Sequence, residues 1–123
     1  MLLSSSMDAA KLFAPMLGER PCERVVIAYL GRERELLEVE QSEGGTDEAE
    51  LPLRRIIAQA LALDAAGLIV AHNHPSGDPC PSAADIDATR RLADTAGALG
   101  LRLYDHLIFA RGGFRSMRAL GLL

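Results

Sequence analysis

The chain has 123 residues, 49% of them hydrophobic and 24% charged, with a formal net charge of −4. That length supports one domain around one core, and the composition excludes a disordered chain. The acidic balance excludes the general basic surplus with which many proteins hold nucleic-acid phosphates, while a local patch built from Arg54, Arg55, Arg90, Arg91, Arg111, Arg115 and Arg118 stays open.

With no Trp, two Tyr and three Phe, the core is expected to consist of Leu, Ile, Val and Ala. Cys22 and Cys80 are too few for a disulfide scaffold, and the sequence leaves a bridge between them open. Met1-Leu2-Leu3 is too short for a signal peptide and is interrupted by Ser4-Ser5-Ser6, and no stretch reaches the length of a membrane span. The expectation is a cytoplasmic protein with no membrane partner.

Ser5 with Asp8 three residues later opens a helix over residues 4 to 17, with Leu12, Phe13, Met16 and Leu17 on one face. Pro15 is expected to kink that helix or end it early. Pro21 breaks the chain before a strong strand at residues 24 to 30, Arg-Val-Val-Ile-Ala-Tyr-Leu. A turn at Gly31-Arg32-Glu33 leads to a returning strand at residues 36 to 41, and a loop runs from Glu43 to Pro52. Leu53, Ile56, Ile57, Ala60, Leu61 and Asp64 then follow at helical spacing. Gly67-Leu68-Ile69-Val70-Ala71 is a short, branched, uncharged run and predicts a buried strand. A loop with Pro75, Pro79 and Pro81 leads to a third helix beginning at Ser82, with Ile86, Thr89, Ala93 and Ala96 inward and Gly100 as its stop. A strand over residues 101 to 110 and a short one over 114 to 117 complete the chain. The order α-β-β-α-β-α-β-β predicts an α/β layered domain with a mixed sheet.

The chemistry concentrates in residues 71 to 85, Ala-His-Asn-His-Pro-Ser-Gly-Asp-Pro-Cys-Pro-Ser-Ala-Ala-Asp. Residues i and i+2 of a strand project from one face, so His72 and His74 aim at one point. Ser82 and Asp85 fall in the first turn of the next helix. An ordinary capping box accounts for that pair by itself, and an isolated His-x-His occurs at solvated strand ends. The combination is more specific: two imidazoles and a carboxylate in one strand-loop-helix unit suit a three-ligand zinc site, one ion per chain, with the fourth position open.

His72, His74, Ser82 and Asp85 at this spacing resemble the JAMM (MPN+) metalloprotease motif. The longer string His72 to Ser82 resembles, more narrowly, the RadC-like JAB domain family. The resemblance extends to Gly45-Thr46 and Pro52, to Asp85-Ile86 and Thr89 to Leu92, and to Asp105-His106-Leu107-Ile108, covering about residues 8 to 117. It implies a JAB/MPN-like, cytidine-deaminase-like fold and a single domain over residues 1 to 123. It also implies a zinc-dependent hydrolase of peptide or isopeptide bonds, with His72, His74 and Asp85 on the metal. The family pattern places a catalytic glutamate at the start of the first strand, here Glu23, as proton acceptor for the attacking water. Glu19 is the next candidate. Ser82 takes the place of the family's serine, suited to an oxyanion or water contact and not to covalent attack. His106 matches a family position and is expected to be structural or to support the site, and Cys80 is expected to be incidental.

Two departures stand out. Longer family members carry an N-terminal region resembling helix-hairpin-helix units, and the expectation is a domain without it. Residues 51 to 55, Leu-Pro-Leu-Arg-Arg, lack the acidic residue that members have shortly after the proline. The alternative function is a DNA-repair-associated accessory protein or a metal-dependent nuclease, because the family is conventionally labelled as a DNA repair family. Against it stand the acidic balance and the few aromatics for base stacking. The expected partner is therefore a peptide or protein substrate, without strong nucleic-acid binding by this domain. Substrate choice is expected to lie in the loops at 43 to 52 and 75 to 81, and oligomeric state is open. The tail Leu120-Gly121-Leu122-Leu123 suits packing on a partner or on the chain's own core.

Overall fold

A computed structural model describes residues 1–17, 22–43 and 51–123. Its elements are α1 (Ser6–Leu17), β1 (Arg24–Leu30), β2 (Leu36–Glu43), α2 (Leu53–Ala62), β3 (Gly67–Asn73), α3 (Ala83–Ala98), β4 (Arg102–Ala110) and β5 (Gly113–Ser116). This is the order expected from the sequence. The turn expected at Pro21 and most of the loop between β2 and α2 lie outside the described residues.

The strands form one mixed sheet in the order β2-β1-β3-β4-β5. β1 runs antiparallel to β2 and β3, β3 and β4 are parallel across α3, and β5 returns antiparallel to β4. Helices cover both faces. Val25, Ile27, Tyr29, Leu68 and Val70 form one core with Ile56, Ile57 and Ala60 of α2 and Leu92 and Ala96 of α3. Val26, Ala28, Leu30, Ile69 and Ala71 form the other with Ala9, Ala10, Phe13 and Leu17 of α1. Burial on both faces explains why β1 and β3 read as unbroken apolar runs, whereas β2, an edge strand, alternates less cleanly.

Local details depart from the sequence pattern for identifiable reasons. α1 continues through Pro15 to Leu17, so the proline does not end it early. Its start is held by Asp8 N donating to Ser5 Oγ at 3.1 Å, and the Asp8 carboxylate accepts from Ser4 instead of closing the box on Ser5. Leu61, at an expected inward position of α2, is 54% exposed because the buried stripe narrows to Ile56, Ile57 and Ala60 near that helix's end. In α3 Thr89 and Ala96 are buried as expected, and Asp85 and Leu92 take the inward places expected of Ile86 and Ala93. Two polar side chains there turn inward. The C-terminal Leu123 packs on the α2/α3 core, while Leu120 stays exposed.

Gly67 opens β3 where β4 comes closest. A Cβ at this position would stand 2.7 Å from the Arg102 carbonyl oxygen and collide with the Tyr104 ring. Tyr104 is the residue by which the β3–β4 register slips between Leu68 and Ile69. Gly97, in contrast, faces open space on α3. Gly67→Ala is therefore expected to destabilise the domain by about 1–3 kcal/mol through overpacking. Gly97→Ala is expected to stabilise it by about 0.5–1 kcal/mol through helix propensity. Urea denaturation midpoints of the two variants should move in opposite directions.

Candidate metal centre

β3 delivers the histidines. His72 is the penultimate strand residue and is fully buried, and its pairing with Val25 and Ile108 fixes it between β1 and β4. His74 lies one residue past the strand, yet its amide donates to Phe109 O at 2.7 Å and carries the β4 pairing one step further. The loop then folds back on the ring: Gly77 N donates to His74 O at 3.1 Å, and Gly77 takes φ +93°. The Asp78 carbonyl lies 2.8 Å from His74 Nδ1. A carbonyl only accepts, so Nδ1 carries the proton and Nε2 is the nitrogen turned to the site.

Asp85 arrives from the other side through a capping box. Its amide donates to Ser82 Oγ at 3.0 Å, and the Ser82 amide donates to Asp85 Oδ2 at 2.9 Å. The same Oδ2 is 3.0 Å from His74 Nε2, Oδ1 is 3.4 Å from His72 Nε2, and the two Nε2 atoms are 2.9 Å apart. Metal–ligand bonds of zinc, about 2.0–2.2 Å long, in a tetrahedron require donors about 3.3–3.6 Å apart. The donor types and spacing fit a metal, with a modest expansion.

Charge follows from the same contacts. Burial alone would raise the Asp85 pKa, but its contacts with the His72 and His74 rings and the hydrogen bond from the Ser82 amide outweigh it and hold the carboxyl well below the usual carboxylate range. The position in the first turn of α3 acts in the same direction through the helix dipole. The Asp85 hydrogen bond raises the His74 pKa against the opposing effect of burial. An ionised carboxylate thus faces two imidazoles in a site whose rim is the half-buried His74 and the exposed Ser82.

Glu23 completes the cluster. It precedes β1 by one residue, is buried, and forms with His72 and His74 a group whose ligand atoms lie within 4.8 Å of one another. Its neighbours are tied to β3 by Asn73, whose Oδ1 accepts from Arg24 N at 2.7 Å and whose Nδ2 donates to Cys22 O at 3.0 Å. Glu19 lies outside the described residues.

A family model described as RadC-like JAB domain matches residues 3–122. The chain belongs to the RadC-like JAB domain family. It is 44% identical over 108 residues to a UPF0758 protein of Rhodobacter capsulatus and 43% identical over 108 residues to one of Ruegeria pomeroyi, in each case across 87% of this chain. Those matches cover 50% and 48% of the two relatives, so the chain spans about half the length of the curated relatives it matches. The five-stranded mixed sheet flanked by helices is consistent with a JAB/MPN-like domain.

Within this RadC-like JAB domain, the structure brings His72, His74, Asp85, Ser82 and Glu23 to one end of β3. Cys22 and Cys80 are both exposed and free, so no bridge joins them. His106, fully buried on β4, stands behind the site with Nε2 2.6 Å from His72 Nδ1, and its Nδ1 is 2.6 Å from Thr89 Oγ1. Burial, then the neighbouring His72, keeps the His106 pKa well below the usual histidine value. Two contributors escaped the sequence reading. Thr89 counted only as an inward helix residue, and Asn73 sat unremarked between two histidines. The alternation of β3 held the signal for Asn73, since it must point away from both.

Asn73→Ala would leave the Arg24 amide and the Cys22 carbonyl without the side chain that pairs them. The expected cost is about 1–3 kcal/mol. Amide hydrogen exchange should show faster exchange at Arg24, with the centre of β3 still protected.

Proposed function

We propose that this domain is a zinc-dependent hydrolase of amide bonds, acting on a peptide or isopeptide, with His72, His74 and Asp85 holding one ion. The observation that carries this reading is the ionised, buried Asp85 carboxylate set 3.0–3.4 Å from two histidine Nε2 atoms beside an opening to solvent. Membership of the RadC-like JAB domain family supports it. A zinc ion held there supplies a Lewis acid and lowers the pKa of a water towards about 7.

The chain's own residues supply the rest. Asp85 is favoured over Glu23 as the third ligand because both its oxygens face the histidines and hydrogen bonds already keep it charged. Glu23 is thereby left for proton work: a carboxylate Oε accepts the proton of the attacking water and returns it to the leaving amine. Ser82 Oγ accepts from the Asp85 amide, so its own hydroxyl proton remains available to a developing oxyanion. The whole protein's substrate and partners belong to the same proposal. Among the described residues no helix is long and apolar enough to cross a membrane.

Elemental analysis of protein produced with ample zinc should find close to one ion per chain. His72→Ala and Asp85→Asn should lose it, the latter while keeping an oxygen for the Ser82 amide. Glu23→Gln should retain zinc while lowering amide hydrolysis by about 10²–10⁴-fold. A purified protein that refuses zinc in titration defeats the reading, and zinc loss in Glu23→Gln would make Glu23 a ligand.

Weak nucleic-acid binding is also part of the proposal. The arginines are divided among α2, α3 and the β5 region, Arg118 donates to the Leu103 and Tyr104 carbonyls, and Arg55 lies 3.7 Å from Glu40. Fluorescence anisotropy at physiological salt should show no tight duplex binding, and a steep salt dependence would reveal a basic face.

A further inference from the structure

His72 has two ring nitrogens, and the direction in which its proton points decides whether the site receives a lone pair or an N–H. A chain of buried groups behind it settles the choice. Thr89 Oγ1 lies 2.7 Å from the backbone carbonyl of Asp85, which only accepts, and 3.6 Å from the weak acceptor Met117 Sδ. The hydroxyl proton is therefore drawn to the carbonyl, and Oγ1 accepts from His106 Nδ1 at 2.6 Å. A fully buried imidazole is held neutral by desolvation and has one donor and one acceptor. With Nδ1 donating, His106 Nε2 must accept. The group facing it at 2.6 Å, His72 Nδ1, must then carry its proton. His72 Nε2 is left as a bare lone pair aimed at His74 and Asp85.

We propose that Thr89 and His106, anchored on the Asp85 carbonyl, form a positioning relay that locks His72 in its Nδ1-protonated tautomer and presents Nε2 as a metal donor. The relay closes on itself: Asp85 anchors one end through its main chain and contributes a donor at the other through its side chain. The opposite orientation would withdraw the hydroxyl from the Asp85 carbonyl and place an N–H at the centre of the donor set. The Nδ1 proton of His74 is fixed by a separate route, through the Asp78 carbonyl. The metal clause rests on the zinc reading above, whereas the tautomer does not, so the two can fail separately.

Two-bond ¹H–¹⁵N correlation spectra of the metal-free chain report the tautomer directly, and zinc titrated against a chromophoric chelator reports the donor. Wild type should show His72 protonated at Nδ1. Thr89→Val keeps shape but removes the hydroxyl; it should mix or reverse the tautomer and weaken zinc about 10–100-fold. Thr89→Ser should restore both. Where Thr89→Val does not fold, His106→Gln and His106→Leu pose the same question. The Gln carbonyl can accept the His72 proton and should keep the tautomer, and Leu should lose it. His72 protonated at Nε2 in wild type overturns the relay, as does an unchanged tautomer in Thr89→Val or His106→Leu. Zinc weakened equally in Thr89→Ser and Thr89→Val overturns it too, because packing alone would then explain the loss. A chain that takes no zinc yet shows the expected tautomer shifts sinks the metal reading and supports the relay.

Discussion

One carboxylate oxygen, Asp85 Oδ2, joins the start of α3 to the end of β3. It accepts the Ser82 amide at 2.9 Å and stands 3.0 Å from His74 Nε2. The helix start and the donor set are therefore a single construction, and neither can shift without the other. Burial would ordinarily drive a proton onto such a carboxyl, and the hydrogen bonds converging on it prevent this. A residue that only capped the helix would sit at the solvent edge. Asp85 is 5% exposed.

The sheet makes that construction rigid. β3 has strands on both sides and helices over both faces, so the end that carries His72 is fixed from four directions. Strand alternation then divides the labour. His72 and His74 serve the site, whereas Asn73 pins residues 22 and 24 around Glu23. The carboxylate that precedes β1 is thereby held near the histidines by a contact that uses no part of the donor set.

The fold was largely legible because β1 and β3 are unbroken apolar runs and the helices follow their period. The donor set was legible because one short unit carries it. What sequence pattern missed were positions where tertiary context overrode apolarity. α3 turns Asp85 and Leu92 inward in place of Ile86 and Ala93, since the hydrogen bonds of the site compensate the burial of the Asp85 carboxylate. Leu61 had the period of an inward residue but lies outside the narrower buried stripe of Ile56, Ile57 and Ala60. Glu23 was legible only through resemblance, because a lone glutamate before a strand carries no pattern of its own. His106 meets Thr89 from 17 positions away and His72 from 34, and no local periodicity encodes such pairings.

The two histidines are held by acceptors of different kinds. His74 depends on the carbonyl of Asp78, in a loop stiffened by Pro75, Pro79 and Pro81 and set on the open side of the site. His72 depends on buried groups from α3 and β4. The first arrangement is local: changes in the loop can reach the site through His74 and, at the loop's other end, through the Ser82 amide on Asp85. The second spans the core, so His72 keeps its orientation as long as α3 stays packed on β4. An arrangement of this kind lets a substrate-facing loop vary at the rim while His72 remains anchored in the part of the fold least able to move.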